Sequence, residues 1–304
     1  MKVLFGVDGS PGGFAAVQQG GRLMDPARDQ AVLYYTPPQI HARDATPEIC
    51  ERARTALADA IFAEARADLP EGLRDTAATI VGQQHPRQGL LIAAEEAQAG
   101  LIAVGARGVG RMEKLLLGSV SWSVVRSSHI PVLVVRQAES SPPQTPFRVL
   151  LAYDGSDSGE EASRFAGQLR WPADTSVAAM TVIESMLAGA VPTWLEEKAR
   201  SADAEAMAQA WVREHEEEKQ HKQEELSQFC RTLPAVFQAA KTIVAEGHPA
   251  EQILRLIGAE RSNLVVLGAH GVGAIERFLI GSTSERVLAH APCSVLVVRS
   301  HPHP

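Results

Sequence analysis

Short runs of β-branched and other apolar residues alternate with longer stretches of helical periodicity along the whole chain. In its first part these runs predict strands at 2–7, 31–36, 77–81, 101–105 and 131–136, with helices at 12–24, 47–68, 86–98 and 119–129. The runs LIAVG and PVLVVR show little polar alternation, which is typical of strands covered on both faces. The pattern predicts an α/β fold, a doubly wound five-stranded parallel sheet.

The chain contains one internal repeat. The segment VLFGVDGS at 3–10 recurs as VLLAYDGS at 149–156, a shift of 146, and 101–136 aligns without a gap on 264–299, a shift of 163. The second copy therefore has 163 − 146 = 17 additional residues between the two blocks. Copies of this length are whole domains, and QAESSPPQTPF between them has the composition of a linker. We predict a domain at 1–137, a linker at 138–146 and a domain of the same kind at 147–304.

The additional residues of the second copy fall within 183–247, a region of strong helix formers with interleaved charges. This pattern is typical of a helix with a solvated face, which is the interpretation we favour. A docking surface on the same helix is the alternative, and no motif in the segment supports it.

Composition and charge exclude several classes of protein. The 304-residue chain has 29 Lys and Arg against 36 Asp and Glu, a net charge of −7, and no basic cluster, so we expect neither nucleic acid nor a membrane as partner. No apolar run reaches the roughly 18–20 residues of a membrane span, and Asp8 interrupts the apolar N-terminal run. The three cysteines show no CxxC spacing, which favours a reducing compartment. We expect a cytoplasmic protein.

Two unusual loops follow predicted strands, and both recur in the second copy. Asp8-Gly9-Ser10 follows the first strand and matches Asp154-Gly155-Ser156, while a glycine-rich loop follows the fourth strand at Gly105 and again at Gly268. In a doubly wound sheet, ligands bind beyond the carboxyl ends of the strands where the strand order reverses. If strands one and four are neighbours, the two loops of each copy face one another across one crevice.

The glycine-rich loop suits a phosphate group. Glycines allow backbone N–H groups to converge on an anion, and Gly118-Ser119 opens a helix whose N–H groups and dipole favour negative charge. Ser119 and Ser121, or Ser282, Thr283 and Ser284, can add hydroxyl donors. Each feature alone has an ordinary structural interpretation, since Gly118-Ser119 can be a plain N-cap and Asp8 can cap a helix. The duplication of the whole set at fixed spacing favours binding.

The pattern Gly-x-x-Gly, nine residues, then Gly-Ser, with Asp-Gly-Ser after the first strand, resembles the ATP-binding branch of the universal stress protein family. The resemblance covers essentially the whole chain as two tandem domains. It implies the strand order 3-2-1-4-5, ATP across the crevice between strands one and four, and pairing of the two last strands about a pseudo-two-fold axis that relates the two domains. It also implies that Asp8 and Asp154 contact the adenosine, that the glycine loop and Gly-Ser hold the phosphates, and that backbone at Thr36 and Val182 reads the adenine.

The expected cofactor is accordingly ATP or another adenine nucleotide, with Mg²⁺, and the chain could also form a homodimer. The expected binding residues of the first copy are Asp8, Gly9, Thr36, Gly105, Arg107, Gly108, Gly110, Gly118, Ser119, Val120 and Ser121. Those of the second copy are Asp154, Gly155, Val182, Gly268, His270, Gly271, Gly273, Gly281, Ser282, Thr283 and Ser284.

The copies differ around these motifs. Tyr34-Tyr35 replaces Met180-Thr181 on strand two, Trp122 stands where the second copy has Glu285, and Arg107 stands where it has His270. We therefore expect the two copies to bind the nucleotide with unequal affinities, and we expect binding more firmly of the second copy than of the first.

Competing functions lack their motifs. The chain has no GxxxxGK[ST] of a P-loop enzyme and no third glycine of a dinucleotide-binding GxGxxG. His85 and His248 each precede a proline and are better interpreted as helix starts than as metal ligands. Phosphoryl transfer would need a base or a water-positioning residue, and the candidates, Glu113 and Glu276, are equally well explained as exposed loop residues. The favoured function is a nucleotide-binding stress-response regulator. A slow ATPase or autophosphorylating enzyme and a nucleotide-free interaction module are the alternatives.

Overall fold

The structure is a computed structural model of the chain, and it describes residues 1–39, 46–108, 117–136, 146–184, 202–271 and 280–299. At 202–205 and 208 it describes the backbone alone. The first half of the chain forms β1 (Lys2–Gly6), α1 (Pro11–Arg22), β2 (Gln30–Tyr35), α2 (Pro47–Asp68), α3 (Glu71–Arg74), β3 (Ala78–Val81), α4 (Pro86–Glu96), β4 (Leu101–Gly105), α5 (Ser119–Ser127) and β5 (Val132–Val135).

The second half repeats this alternation. Its elements are β6 (Arg148–Ala152), α6 (Asp157–Ala166), β7 (Ser176–Ile183), α7 (Ala202–Thr232), α8 (Ala235–Gln238), β8 (Lys241–Glu246), α9 (Pro249–Ala259), β9 (Leu264–Gly268), α10 (Ser282–His290) and β10 (Ser294–Val298). The strands and helices predicted for the first half are all present, with boundaries that differ by at most two residues. The short helices α3 and α8 were not predicted, because four residues are too few to show a helical period.

Side chains at the helix starts explain several of these boundaries. Ser10 and Ser156 accept a hydrogen bond from the first turns of α1 and α6, and Thr46 does the same for α2. His85 and His248 occupy the N-cap positions of α4 and α9, each followed by a proline at the first helical position. The interpretation of these two histidines as helix starts is confirmed.

The described strands form one ten-stranded sheet in the order β3-β2-β1-β4-β5-β10-β9-β6-β7-β8. Each half therefore has the predicted order 3-2-1-4-5, and all pairs within a half are parallel. The halves join where β5 pairs antiparallel with β10, with Leu133 opposite Leu296. This join confirms the predicted pairing of the last strands, which leaves neither of them an open edge at the centre of the sheet.

Helices cover both faces of this sheet, and each core crosses the join between the halves. Successive residues of a strand point to opposite faces, so Leu133 and Leu296 lie in one core with Phe5, whereas Val134 and Val295 lie in the other. Both cores therefore contain side chains from the first and the second half. The two halves share their packing as well as their sheet.

Helix α7 is more than a solvated surface helix. Leu226 and Cys230 on α7 are buried in the core, and Phe229 packs against it. The opposite side, which includes Glu216 and Glu217, is exposed. The expected solvated face therefore exists, but the additional residues of the second copy also build core, because this amphipathic helix lies against β7 and β8.

All three cysteines are free, and Cys230 and Cys293 are buried. Burial raises the pKa of the Cys293 thiol to about 12. None of the helices in the described ranges has both the length and the hydropathy needed to cross a bilayer.

The join between the halves predicts a specific stability effect. Leu133 is 0% exposed at the centre of the β5–β10 pair, so Leu133→Ala should lower the free energy of unfolding by about 2–5 kcal/mol. Ile92 on α4 is 39% exposed, and Ile92→Ala should change it by less than about 0.5 kcal/mol. Urea unfolding measures both. Equal losses in the two variants would contradict the central position of this strand pair.

Candidate functional site

Each half has a cavity at the carboxyl ends of its strands, where the order of the sheet reverses. In the first half β1 lies between β2 and β4, and in the second half β6 lies between β7 and β9. The cavities have volumes of about 610 Å³ and 600 Å³. This is where an open doubly wound sheet places its ligand site.

The loop after the first strand of each half is a rigid turn around an aspartate. Asp8 Oδ1 accepts hydrogen bonds from the backbone N–H of Ser10 at 3.0 Å and from its hydroxyl at 2.5 Å, and Ser10 in turn caps α1. Asp154 and Ser156 repeat these bonds at 3.0 and 2.6 Å. Both aspartates line their cavities.

The glycines next to these aspartates have a conformational role. Gly9 has φ +78° and Gly155 has φ +77°, a region that side chains with a Cβ rarely adopt. Neither glycine lines a cavity. The structure thus places Gly9 and Gly155, which were expected to bind the ligand, in the turn that presents the aspartate.

Close backbone approaches explain the glycines after the fourth strand of each half. A Cβ on Gly105 would collide with the backbone of Gly12 at the start of α1, and one on Gly268 would lie 2.7 Å from the backbone of Ser158. A Cβ on Gly108 would collide with Asp8 Oδ2, and one on Gly271 would lie 2.9 Å from Asp154 Oδ2. The glycine loop therefore lies directly against the aspartate, as expected if the two loops face one crevice.

The helix after each glycine loop begins at the cavity wall. Gly118 is the N-cap of α5 and Gly281 the N-cap of α10, and in neither helix does a capping side chain bond the first turn. The N-cap and the next three residues line the cavity in both halves; these are Gly118, Ser119, Val120 and Ser121, and Gly281, Ser282, Thr283 and Ser284. The first-turn N–H groups and the positive end of the dipole are thus presented to the cavity.

Two of the expected hydroxyl donors have a structural role. The Ser121 hydroxyl donates to the Gly105 carbonyl at 2.6 Å, and the Ser284 hydroxyl donates to the Gly268 carbonyl at 2.7 Å. Both serines are 5% exposed. A hydroxyl has one proton to donate, so the expectation that these serines donate to a ligand is corrected: they tie the helix to the strand. Ser119, Ser282 and Thr283 are not buried and line the cavities.

The first cavity has apolar and aromatic walls that the motifs did not reveal. Thr36 lines it as expected. The hydroxyl oxygens of Tyr34 and Thr36 are hydrogen-bonded to each other at 2.8 Å. The Tyr34 ring lies so close to Gly82 and Gly89 that a Cβ on either would collide with its hydroxyl. Burial raises the pKa of this phenol. The additional lining residues are Gly6, Val7, Gly13, Tyr34, Tyr35, Pro38, Pro86, Leu90 and Val104.

The second cavity has charged walls because α7 reaches it. Glu218 and Lys222, four residues apart on α7, line the cavity together with Glu184 and the expected Val182. Lys222 Nζ also lies 2.7 Å from Glu225 Oε2. No spacing rule reveals these residues, because they come from the segment in which the copies differ in length.

Contacts with the sheet hold α7 at this cavity. Glu246 on β8 lies 3.0 Å from His215 Nε2 and 3.1 Å from Lys219 Nζ. Burial raises the pKa of Glu246, but His215 and Lys219 outweigh this effect and keep it below its ordinary value. Tyr153, which lines the cavity, stacks on Phe229 of α7 with ring centroids 3.9 Å apart.

The residue inside each glycine loop differs in charge between the halves. His270 is 8% exposed, and its Nε2 has no hydrogen-bond partner among the described residues. Burial and the nearby charge of Arg299 lower the pKa of His270, so its imidazole is neutral at pH 7. Arg107, a cationic guanidinium, lines the first cavity from the equivalent position.

Some expected residues lie outside the described residues: Gly110, Gly273, Glu113 and Glu276. Within the described ranges, no group of three or more His, Cys, Asp or Glu side chains could hold a metal ion. Every other expected binding residue, apart from Gly9 and Gly155, lines its cavity.

The fold and the two equivalent cavities define a tandem α/β protein with one candidate ligand site at each switch point. A sequence model described as the universal stress protein family matches residues 1–136 and 147–299. The chain therefore belongs to the universal stress protein family, and it contains the domain twice.

Individual relatives agree with this membership. The chain is 30% identical over 228 residues to a universal stress protein of Mycolicibacterium smegmatis, covering 74% of this chain and 69% of the relative. It is 28% identical over 316 residues to one of Mycobacterium bovis, covering 98% and 94%. The crystal structure of a universal stress protein from Archaeoglobus fulgidus aligns with a TM-score of 0.61 at 20% identity, covering 99% of this chain and 98% of that one. That likeness shows a shared fold.

The two kinds of serine at the start of α5 predict different effects of substitution. Ser121→Ala removes the bond to the Gly105 carbonyl and should lower the free energy of unfolding of the ligand-free protein by about 1 kcal/mol. Ser119→Ala changes an exposed hydroxyl and should alter it by less than about 0.5 kcal/mol. Chemical denaturation of both variants measures the difference. An equal effect would argue against the structural role of Ser121.

Proposed function

We propose that this universal stress protein binds ATP, or another adenine nucleotide, in both cavities and acts as a stress-response regulator whose conformation depends on occupancy. One observation carries the proposal. In each half, an aspartate on a rigid turn, a glycine loop and a helix N-terminus without a side-chain cap line the same cavity. Two copies of that arrangement in one chain support ligand binding over a purely structural role.

The phosphates fit at the helix N-terminus. The backbone N–H groups of Ser119 and Val120, and of Ser282 and Thr283, belong to first turns that their own helices leave unbonded. The contact between Gly108 and Asp8 leaves no room for a side chain in the loop, so backbone can approach a phosphate closely. Mg²⁺ would enter with the phosphates, because it is usually held by one or two carboxylates together with the phosphates of the nucleotide.

The nucleoside fits the rest of the cavity. Volumes of about 610 and 600 Å³ lie within the range of about 300–1,000 Å³ of ordinary ligand pockets. Leu90 and Val7 give the first cavity an apolar wall for a base, and Ile253 and Tyr153 give one to the second. We assign the ribose side to Asp8 and Asp154 and the base edge to the backbone at Thr36 and Val182.

The first cavity should bind the nucleotide more tightly. Arg107 gives it a positive charge. The second cavity has a neutral His270, and the one cation among its described lining residues, Lys222, pairs with Glu225 and is outnumbered by the carboxylates of Glu184 and Glu218. An anion is favoured near a positive charge and disfavoured near a negative one. This order is the opposite of the expectation from the motifs alone.

We further propose domains at 1–137 and 147–304, no nucleic-acid partner for a chain of charge −7, and a homodimer as a form to be tested.

Calorimetric titration of nucleotide-stripped protein with Mg-ATP tests the function directly. We expect two molecules of ATP per chain, with the tighter one lost in Gly118→Val, because a side chain at this N-cap would fill the space of a phosphate. No heat and no binding would contradict the proposal. Turnover of ATP that disappears in Gly118→Val and Gly281→Val would instead establish an ATPase, and a phosphate-release assay on the same samples detects it.

A second variant tests the aspartate. Asp154→Ala should weaken ATP binding in the second cavity about tenfold, because a charged hydrogen-bonding group is lost, and should leave the first cavity unchanged. Asp174→Ala, in an exposed turn, is the matched control and should change neither. Titration of both variants, with melting temperatures taken without ligand, separates binding from stability. Equal affinity of Asp154→Ala and the wild type would remove Asp154 from the site.

A further inference from the structure

Two equivalent arginines end the two strands at the centre of the sheet. Arg136 follows β5 and Arg299 follows β10, and 299 − 136 = 163 is the shift of the repeat. Each is 8% exposed. A buried arginine is rare unless other groups satisfy its charge, so the contacts of Arg136 and Arg299 call for an explanation.

Each arginine bonds the helix of the other half. Arg136 Nη2 donates to the carbonyls of Leu288 and Ala289 at 2.8 and 3.1 Å, on the last turn of α10. Arg299 Nη2 donates to the carbonyls of Val125 and Arg126 at 3.1 and 2.8 Å, on the last turn of α5. These carbonyls have no partner within their own helix, and a cation there also stabilises the helix dipole. The two contacts are equivalent: the arginine of each half bonds the C-terminal end of a helix in the other half.

Each arginine is also next to the cavity of its own half. Ala106 N–H donates to the Val135 carbonyl at 2.7 Å, which places Arg107 of the first cavity beside Arg136. Ala269 N–H donates to the Val298 carbonyl at 2.6 Å, which places His270 of the second cavity beside Arg299. Burial lowers the pKa of Arg136, and the charge of Arg107 lowers it further. One side chain thus connects the glycine loop of one site to the helix that opens the other.

We propose that Arg136 and Arg299 couple the two sites, so that a nucleotide in one cavity increases the affinity of the other. The coupling rests on the proposed nucleotide binding. It acts through α5 and α10, whose N-termini face the ligands and whose C-termini are held by the arginine of the opposite half. Because linkage is reciprocal, each site changes the affinity of the other by the same factor.

The sign of the coupling follows from the charges. Arg107 and Arg136 repel one another while the first cavity holds no anion. A phosphate beside Arg107 cancels that repulsion and favours the position in which Arg136 bonds α10. A better-held α10 presents a more ordered N-terminus to the second cavity, so less order has to be gained when the second nucleotide binds. The coupling through Arg136 is therefore positive.

Lysine variants separate the cross-contact from the local charge. Arg136→Lys keeps a positive charge beside the first cavity, but its side chain ends one atom short of the position of Nη2, the nitrogen that donates both bonds to α10. We expect the Kd for Mg-ATP of the second cavity, measured by titration in a Gly118→Val background, to rise about fivefold. The Kd of the first cavity, measured in a Gly281→Val background, should change by less than about twofold. Arg299→Lys should show the reverse pattern.

Titration of the wild-type chain with Mg-ATP measures the coupling between the two cavities. The product of its two dissociation constants should be about fivefold smaller than the product from the two single-cavity variants. The double variant Arg136→Met/Arg299→Met, compared with its own single-cavity variants, should bring this ratio close to one. Arg286→Met is the matched control, because Arg286 is an exposed cation on α10 that pairs with Glu251, and it should leave the ratio unchanged. A ratio of one in the wild type, or a lysine variant that weakens its own cavity, overturns the coupling and leaves nucleotide binding intact.

Amide hydrogen exchange without ligand tests the link independently of nucleotide binding. Arg136→Met should speed exchange several-fold across α10, including its first turn at the second cavity, and leave α5 unchanged. Arg299→Met should do the opposite. Equal exchange in α5 and α10 of both variants overturns the link. A wild-type chain that binds no ATP overturns the proposed function and nucleotide coupling, whereas the crossed exchange pattern would still establish the arginine link.

Discussion

The antiparallel pairing of β5 with β10 is the interaction on which the rest of this structure depends. A doubly wound domain with the order 3-2-1-4-5 leaves its fifth strand with a row of unpaired N–H and C=O groups. Pairing the two fifth strands satisfies both rows at once and creates the two-fold relation between the halves. The shared cores follow from it, because Leu133 and Leu296 are brought together on one face and Val134 and Val295 on the other.

Backbone, more than side chains, forms the candidate sites. The glycines at the ends of β4 and β9 let a strand touch the start of a helix, and the glycine loops lie against the aspartates. Helix N-termini supply the remaining donors. Because N–H groups and dipoles do not depend on residue identity, the surrounding side chains are free to differ. Arg107 and His270, or Val7 and Tyr153, can occupy equivalent positions without changing the shape of the site.

The sequence predicted those features that follow from local spacing. The convergence of Asp8 and Gly108 follows from a short-range pattern that occurs twice, whereas the strand order and the pairing of the last strands were predicted through the resemblance to the universal stress protein family. Glu218 and Lys222 could not be predicted, because the position of α7 depends on packing of Leu226 and Phe229 against the sheet and on the contacts of Glu246. The bond from Ser121 to Gly105 was also missed, since spacing does not show where a hydroxyl points. A signal for Arg136 and Arg299 was present, because both apolar strands end in arginine at the same shift of 163.

The location of the remaining sheet edges has a consequence for self-assembly. Within the described residues the outermost strands are β3, which has four residues, three of them exposed, and β8, which begins with Lys241 and ends with Glu246. The buried strands β5 and β10, whose unpaired edges would be templates for growing a filament, pair with each other in the internal two-fold contact. A symmetric contact of this kind closes on itself and cannot propagate. The tandem arrangement therefore keeps the most polymerisation-prone segments of the chain from recruiting further copies.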